Sequence, residues 1–301
     1  MSTIRLIAIF LSFLVSNALN AQDITTLKKE IEALLMDKDA TVAVSVMGMS
    51  PDDGISINGD IQLPMQSVYK FHLAVAVLHE VDKKKFDLED TIEITKAHLN
   101  NSLWSVIRKK LPNGGKLTLR EVVKYTVANS DNVGCDLLFD RIGGPVKAQN
   151  YMQKMGISEV AIKDNEEAIQ SDWELQYQNW TTATAANQTL KLFYENKGNI
   201  LSTKSHQFLW EVMKQSWFAK VSMKTYLPEQ TIIAHKTGHS GKNKEGITGA
   251  QNDIGIIFLP NGNYFYLSVL ISDSTEDSQV NKKIIADIAK LSYDYFNNKG
   301  E

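Results

Sequence analysis

The sequence of 301 residues contains one cysteine, Cys135, so the folded chain cannot hold an internal disulfide. It also has no run of basic residues, and its 32 lysines and arginines are nearly balanced by 35 aspartates and glutamates. Because nucleic-acid-binding surfaces need clustered positive charge, nucleic acid is not an expected partner. The six histidines form neither an HxH nor an HExxH pattern, so the sequence predicts no metal site, and no organic cofactor is implied.

Residues 6–15 form an apolar run that is too short to span a bilayer, which takes about 20 apolar residues. Arg5 precedes this run, and small residues follow it as far as Ala18 and Ala21. A basic start, an apolar stretch and a small-residue exit are typical of a secretory signal peptide, and an N-terminal core helix is the alternative interpretation. We therefore predict a signal peptide at residues 1–21, cleaved after Ala18 or Ala21, and a periplasmic or secreted protein without a stable membrane anchor.

The periodicity of apolar residues indicates an α+β fold built from two lobes. Helical patterns cover residues 24–36 and 278–296 and dominate residues 67–215, and strand patterns lie at residues 41–47, 55–58, 231–235, 254–259 and 264–271. Hairpin-like connections favour an antiparallel sheet. We predict an α/β lobe from residues 22–66 and 216–301 and an all-α lobe from residues 67–215, with a small-molecule site in the cleft between them.

Three short polar motifs occur where these elements begin or end. They are Ser67-Val-Tyr-Lys70 at a helix start, Ser130-Asp-Asn132 after an amphipathic stretch, and Lys236-Thr-Gly238 at a strand end. Residues i and i+3 of a helix share a face, so the Lys70 amine can reach the Ser67 hydroxyl, and the free N–H groups of the helix N-terminus favour an anion there. Each motif alone also has an ordinary structural interpretation, as an N-cap serine, a helix-capping segment or a solvated strand end.

In this order the three motifs are the signature of class A β-lactamases and penicillin-binding proteins. The sequence resembles a class A serine β-lactamase, and more closely the PER/VEB-type branch, over essentially the whole mature chain. The resemblance implies a β-lactamase/transpeptidase-like fold, with a five-stranded antiparallel sheet flanked by helices and an all-α lobe. Further stretches that carry it are Gly143-Gly-Pro145, Gln178-Asn-Trp-Thr181, His235-Lys-Thr-Gly238 and Asn252-Asp-Ile-Gly-Ile-Ile257.

The resemblance also assigns catalytic roles. It implies that Ser67 opens the β-lactam ring to form an acyl-enzyme, and that the backbone N–H groups of Ser67 and His239 form the oxyanion hole. Lys70 would share proton transfer with Glu166, and Ser130 would pass a proton to the departing lactam nitrogen. The implied substrate-binding residues are Trp104, Asn132, Gln170, Lys236, Thr237, His239 and Ser240.

Glu166 is the residue that separates a lactamase from a transpeptidase. The stretch Lys163–Gln170 resembles the omega-loop segment that carries the deacylating glutamate. A carboxylate beside the ester can activate a water, and general-base catalysis of this kind contributes about 10²–10⁴-fold. Without the other motifs, Glu166 and its neighbour Glu167 would be interpreted as solvated loop residues.

Several positions depart from the family pattern. Gln170 stands where most of the class has asparagine, and Asn179 replaces the usual omega-loop aspartate, so the salt bridge of that loop is expected to be missing. No arginine follows Arg141, and counting back from Leu227-Pro228 puts Ser222 where related enzymes carry a carboxylate-binding arginine. The candidate substitutes are Lys220, Lys224 and Lys242.

The sequence and the resemblance therefore predict a serine β-lactamase that acts as a monomer on small-molecule β-lactams. The resemblance also implies that the aromatic side chain of Trp104 lies at the mouth of the cleft. An alternative interpretation of Trp104 is a half-buried residue packed between the lobes. Two alternative functions use the same motifs. One is a penicillin-binding peptidase that acts on D-Ala-D-Ala, and the other is a β-lactam sensor that stays acylated, which Gln170 and Ser222 favour.

Overall fold

A computed structural model describes residues 23–50, 52–100, 102–217 and 222–299, so the predicted signal peptide and Lys220 lie outside the described residues. The helices are α1 (Ile24–Leu35), α2 (Tyr69–Asp82), α3 (Lys96–Leu99), α4 (Val106–Lys110), α5 (Leu119–Ala128), α6 (Asn132–Ile142), α7 (Pro145–Lys154), α8 (Glu166–Ser171), α9 (Ala183–Glu195), α10 (Thr203–Lys214) and α11 (Ser278–Asn298). The strands are β1 (Thr41–Met47), β2 (Gly54–Ile57), β3 (Leu63–Pro64), β4 (Thr91–Ile94), β5 (Gly115–Thr118), β6 (Trp180–Thr181), β7 (Ile233–His239), β8 (Gln251–Phe258) and β9 (Tyr264–Ser272). Within the described ranges, no helix is long and apolar enough to cross a membrane.

The central sheet is antiparallel, with five strands in the order β2-β1-β9-β8-β7. This confirms the predicted α+β class and the five-stranded sheet. The first strand, β1, lies inside the sheet because it pairs with β9 along its whole length, from Thr41 opposite Ser272 to Met47 opposite Tyr266. The sheet therefore combines strands from both ends of the chain.

Helices α1 and α11 cover one face of the sheet. The side chain of Asp23 caps α1 by accepting a hydrogen bond from the Thr25 N–H, and the helix buries Leu27 and Ile31 completely against the sheet. Burying each of these side chains contributes roughly 1.5–3 kcal/mol. The other face packs against the helical lobe, whose core includes the buried side chains of α2, α5 and α6.

Strand β7 contributes to both cores because successive side chains of a strand point to opposite faces. Ile233 belongs to the core beneath α1 and α11, whereas Ala234 belongs to the core on the side of the helical lobe. The same alternation turns Lys236 towards the helical lobe, where its Nζ donates to Ser130 Oγ. Strand β7 is thus an edge strand that presents different chemistry on its two faces.

The structure contains more strand than the sequence pattern indicated. The lobe predicted as all-α also holds the antiparallel pair β4 and β5, and β3 pairs with β6, opposing Leu63 to Thr181. Strands of two to four residues are too short to show a periodicity.

Strand β7 runs further than predicted, to His239. The Lys-Thr-Gly motif therefore lies within the strand and not at its end, and the open edge of the sheet tolerates its polar residues.

Candidate active site

A cavity of about 380 Å³ opens between the helical lobe and β7. The residues that line it are Ser67, Trp104, Ser130, Asn132, Ser222, Thr237, Gly238, His239, Gln251 and Lys282. The three polar motifs, which are far apart in the sequence, therefore meet in one place.

Ser67 lies in a single 3-10 turn, Gln66–Val68, that leads directly into α2. Gln66 has a left-handed backbone with φ of 46°, which costs a residue with a side chain about 1–3 kcal/mol. The Gln66 side chain donates a hydrogen bond to Gln176 Oε1 at 2.9 Å, which helps to hold the turn. One residue before the turn, the Met65 carbonyl oxygen would lie only 2.4 Å from a Cβ on Gly238. Glycine is therefore required there for β7 to approach the nucleophile turn.

Lys70 is the centre of the polar network. Its side chain is fully buried, and its Nζ lies 2.9 Å from Ser67 Oγ and 3.0 Å from Glu166 Oε1. The ammonium also donates to the Ser130 carbonyl oxygen at 3.0 Å and to Asn132 Oδ1. An ammonium has three protons and here contacts four oxygens, so Lys70 joins the nucleophile, the Ser-Asp-Asn motif and Glu166 in one network.

The three residues of the Ser-Asp-Asn motif have different roles: one caps a helix and the other two line the cavity. Asp131 is buried and caps α6, accepting from the Gly134 N–H at 2.8 Å and from the Ile107 N–H at 2.8 Å. Ser130, with a left-handed φ of 55°, and Asn132 instead line the cavity. The capping interpretation is therefore correct for the aspartate alone.

Lys236 reaches this motif from the sheet. Its Nζ donates to Ser130 Oγ at 2.9 Å and to the Thr237 carbonyl oxygen at 2.8 Å. Burial, with the nearby charge of Lys70, lowers the pKa of Lys236 to about 7. This lysine can therefore give up or take a proton near neutral pH.

Glu166 is the first residue of α8 and is almost completely buried, with 2 % of its surface exposed. Its Oε1 accepts a hydrogen bond from the Tyr69 hydroxyl at 2.6 Å in addition to its contact with Lys70. The Glu166 backbone N–H donates to Asp136 Oδ1 at 2.8 Å, and the N–H of Glu167 donates to Oδ2 at 3.0 Å. Burial raises the pKa of Asp136 to about 7, against these two donors, which lower it. In contrast, the side chain of Glu167 is exposed.

Asn179 closes the omega loop, residues 163–179, without an ion pair. Its Oδ1 accepts from the backbone N–H groups of Lys163 at 2.7 Å and Asp164 at 3.0 Å, and its Nδ2 donates to the Asp164 carbonyl oxygen at 2.8 Å. The residue is fully buried. Three hydrogen bonds from one neutral side chain thus hold the base of this loop.

Three residues from the predicted substrate-binding set do not line the cavity: Lys236, which donates to Ser130 behind it, Gln170 and Ser240. Gln170 is exposed on α8. The Ser240 hydroxyl donates to the Gly241 carbonyl oxygen at 2.8 Å and accepts from the Ala250 N–H at 2.9 Å, so it stabilises the end of β7. Trp104 lines the cavity with 47 % of its surface exposed and donates from Nε1 to the Asn129 carbonyl oxygen at 3.3 Å.

The end of the cavity beside Thr237 and His239 contains residues that the sequence analysis missed. Lys282, on the first turns of α11, lines it together with Gln251. Ser222 Oγ and Gln251 Oε1 are buried there and have no hydrogen-bond partner within the described residues. Lys282 forms no ion pair with any described residue. Its position has no sequence signal, because it depends on where the C-terminal helix returns to the sheet.

Of the three lysines proposed to replace the missing arginine, two are described and neither lines the cavity. Lys224 is partly exposed outside it, and Lys242 lies 3.8 Å from Asp277. The candidate to replace the arginine that related enzymes carry at the position of Ser222 is therefore Lys282.

The two histidines of the strand have separate environments. His235 is buried with its Nδ1 2.8 Å from Asp253 Oδ1, whereas His239 lines the cavity. Desolvation lowers the pKa of His239, and Lys282 lowers it further, against a backbone hydrogen bond at Ala250 that raises it. Its surroundings therefore disfavour the charged form of the imidazole at the cavity edge.

Comparison with known proteins gives consistent results. A sequence profile described as "Beta-lactamase enzyme family" matches residues 26–296. The chain is 44 % identical over 294 residues to β-lactamase VEB-1 of Pseudomonas aeruginosa, covering 98 % of this chain and 97 % of that one. It is 41 % identical to the extended-spectrum β-lactamase PER-1 of Pseudomonas aeruginosa, covering 89 % of this chain and 87 % of the relative. Among solved structures, TLA-3 extended-spectrum β-lactamase aligns with a TM-score of 0.89 at 44 % identity, covering 91 % of this chain and 100 % of that one.

Proposed function

The chain belongs to the β-lactamase enzyme family as a class A serine β-lactamase, and we propose that it acylates on Ser67 and deacylates through water activated by Glu166. The observation that carries this proposal is the chain of short contacts from Ser67 Oγ through Lys70 Nζ to Glu166 Oε1, at 2.9 and 3.0 Å. A nucleophile next to a base that is itself held by a third group is the general arrangement for covalent catalysis.

In the acylation step, Lys70 passes one proton to Glu166 Oε1, 3.0 Å away, and its neutral amine takes the proton of Ser67 Oγ as this oxygen attacks the lactam carbonyl carbon. Glu166 loses that proton again before deacylation, as Lys236 is reprotonated. The backbone N–H groups of Ser67 and His239 stabilise the oxyanion. As the C–N bond breaks, Ser130 gives its proton to the lactam nitrogen and regains one from Lys236, whose Nζ is 2.9 Å away. The pKa of Lys236, about 7, suits this transfer.

In the deacylation step, Glu166 takes a proton from a water that attacks the ester carbonyl, and the proton returns to Ser67 Oγ as the acid leaves. A penicillin-binding peptidase needs no such carboxylate, and a sensor lacks an effective one. The burial of Glu166 within the network of Lys70, and not its mere presence in the sequence, therefore favours a hydrolase over both alternatives.

Purified mature protein is expected to hydrolyse nitrocefin continuously, because the acyl-enzyme is released by water. The measurement is absorbance against time at a hundredfold excess of substrate over enzyme. A single burst equal to the enzyme concentration would instead identify a sensor that remains acylated.

We also propose that extended-spectrum cephalosporins are among its substrates, since PER-1 and TLA-3 are both named extended-spectrum enzymes. Asn132 would bind the amide of the drug side chain, and Trp104 would contact the side chain at the cavity mouth. Relative turnover of benzylpenicillin, cefotaxime, ceftazidime and imipenem tests this spectrum.

The substrate carboxylate would bind at the end of the cavity beside Thr237 and Lys282, with the buried Lys236 directly before Thr237 in β7. Lys282→Ala is expected to lower kcat/KM about fivefold, which corresponds to roughly 1 kcal/mol of lost charge attraction. In this background Ser222→Arg is expected to restore much of the loss, because Ser222 lines the same end. The measurement compares a cephalosporin with its methyl ester, which carries no carboxylate charge.

Lys224→Ala is the matched control, since Lys224 does not line the cavity. An equal loss for the free acid and the ester in Lys282→Ala would contradict the assignment. So would a loss in Lys224→Ala of the same size.

We further propose that the protein is exported and acts as a monomer in the periplasm. The N-terminal pattern at residues 1–21 supports export, and one chain supplies every residue of the network around Lys70. Cell fractionation, size-exclusion chromatography and N-terminal sequencing of the mature protein test location, oligomeric state and the cleavage site.

A further inference from the structure

Tyr69 is a core residue whose hydroxyl reaches the active site. It lies on α2 directly before Lys70, is completely buried, and stacks on Phe139 with ring centroids 5.8 Å apart. Its hydroxyl oxygen is 2.6 Å from Glu166 Oε1. The ring belongs to the hydrophobic core of the helical lobe, and the hydroxyl does not line the cavity.

The direction of this hydrogen bond follows from the surroundings. Burial raises the pKa of Tyr69 well above its usual value, and Cys135 and Glu166 raise it further. The phenol therefore keeps its proton and donates it to the carboxylate. The Cys135 thiol, 3.9 Å away, is a weak donor to the same phenol oxygen.

The two anchors of Glu166 contact the same oxygen. Tyr69 Oη and Lys70 Nζ lie 2.6 and 3.0 Å from Oε1, and Oε2 receives no hydrogen bond from any described residue. Rotation of the carboxylate about its Cγ–Cδ bond would move Oε1 away from both donors and break both contacts. The other oxygen is then left as the only one available to a water molecule.

We propose that Tyr69 is a positioning residue for deacylation, which fixes Glu166 by Oε1 so that Oε2 takes the proton from the attacking water. This inference rests on the proposed role of Glu166 as the base. In the reaction, the water loses one proton to Oε2 and its oxygen forms the bond to the ester carbon. Tyr69 keeps its own proton throughout and touches no reacting atom.

Four other titratable groups face this carboxylate or the phenol. They are Lys70 on α2, Cys135 and Asp136 on α6, and Lys236 on β7. Removing the Tyr69 hydroxyl leaves all four in place. Only the Glu166 carboxylate loses a donor.

The test is Tyr69→Phe, which keeps the ring in the core and removes only the hydroxyl. The rate of deacylation, measured by single-turnover release of the acyl group, is expected to fall about tenfold, within the hundredfold that a misplaced catalytic group can cost. Because the acyl-enzyme accumulates, kcat and KM are expected to fall together while kcat/KM changes little.

Tyr151→Phe is the matched control, since Tyr151 lies on α7 and also loses one hydrogen bond, from its hydroxyl to the Ile200 carbonyl oxygen at 3.2 Å. It is expected to keep the wild-type deacylation rate, kcat and KM. A Tyr69→Phe variant with a lower melting temperature but an unchanged deacylation rate and an unchanged KM would overturn the inference while leaving Glu166 as the base. A wild-type protein that never releases its acyl group would overturn the proposed function and this inference together.

Discussion

Glu166→Ala is expected to stop hydrolysis after one acylation and to leave the β-lactam attached to Ser67. Without the carboxylate there is no base for the water, and deacylation is expected to slow by about 10²–10⁴-fold. Intact-protein mass spectrometry after incubation with a cephalosporin should therefore show a stoichiometric adduct. Glu166→Gln should give the same adduct, because an amide of nearly equal shape accepts no proton from water.

Two controls define the interpretation of that adduct. Ser67→Ala should give none, since the nucleophile is missing. Glu167→Ala should turn over like the wild type, because the Glu167 side chain is exposed and only its backbone N–H contacts Asp136. If Glu166→Ala showed no adduct although it remained folded, its role in deacylation would be wrong, and a main role in acylation would replace it.

Asn179→Ala is expected to produce the largest loss of stability. It leaves two backbone N–H groups and one carbonyl group without their partners at a fully buried site. Each buried group left unpaired costs about 1–3 kcal/mol, so the free energy of unfolding is expected to fall by roughly 3 kcal/mol or more. On the scale for large domains, the melting temperature should drop by roughly 5–10 °C.

The same variant should also slow deacylation, since the loop that Asn179 closes carries Glu166. Asn179→Asp should lose less stability, because its carboxylate still accepts from Lys163 and Asp164 and only the donor to the Asp164 carbonyl is missing. Gln178→Ala is the neighbouring control at an exposed position. Thermal unfolding that is identical in Asn179→Ala and Gln178→Ala would contradict the role of these hydrogen bonds.

The sequence carries much of the fold and the site because local rules decide them. A serine and a lysine three residues apart on a helix must share a face, which is why Lys70 could be placed beside Ser67. Alternating patterns also located the long strands β1 and β9 to within a residue. These features depend on near neighbours in the chain.

The parts that the sequence did not predict depend on distant neighbours. Lys282 reaches the cavity only because α11 packs on the sheet beside β8, and nothing in its local sequence distinguishes it from Lys283. Tyr69 has the apolar surroundings of a core residue, and its contact with Glu166 joins segments 97 residues apart. Gln170 was predicted to bind substrate from the family resemblance, which gives the position of a residue in the sequence but not the direction of its side chain.

The pairing of β1 with β9 also determines how this molecule can fold. Thr41 must find Ser272, so more than two hundred residues separate partners at the centre of the sheet. Non-local contacts of this kind make folding slow, because a long loop has to close before the contacts stabilise it. A chain emerging from the ribosome can pair β1 with β2 early, but it has no strand for the other side of β1 until almost all of it has been made. Deleting the last strand, β9, would therefore prevent the whole chain from folding, since the sheet that supports the nucleophile turn would lack its middle strand.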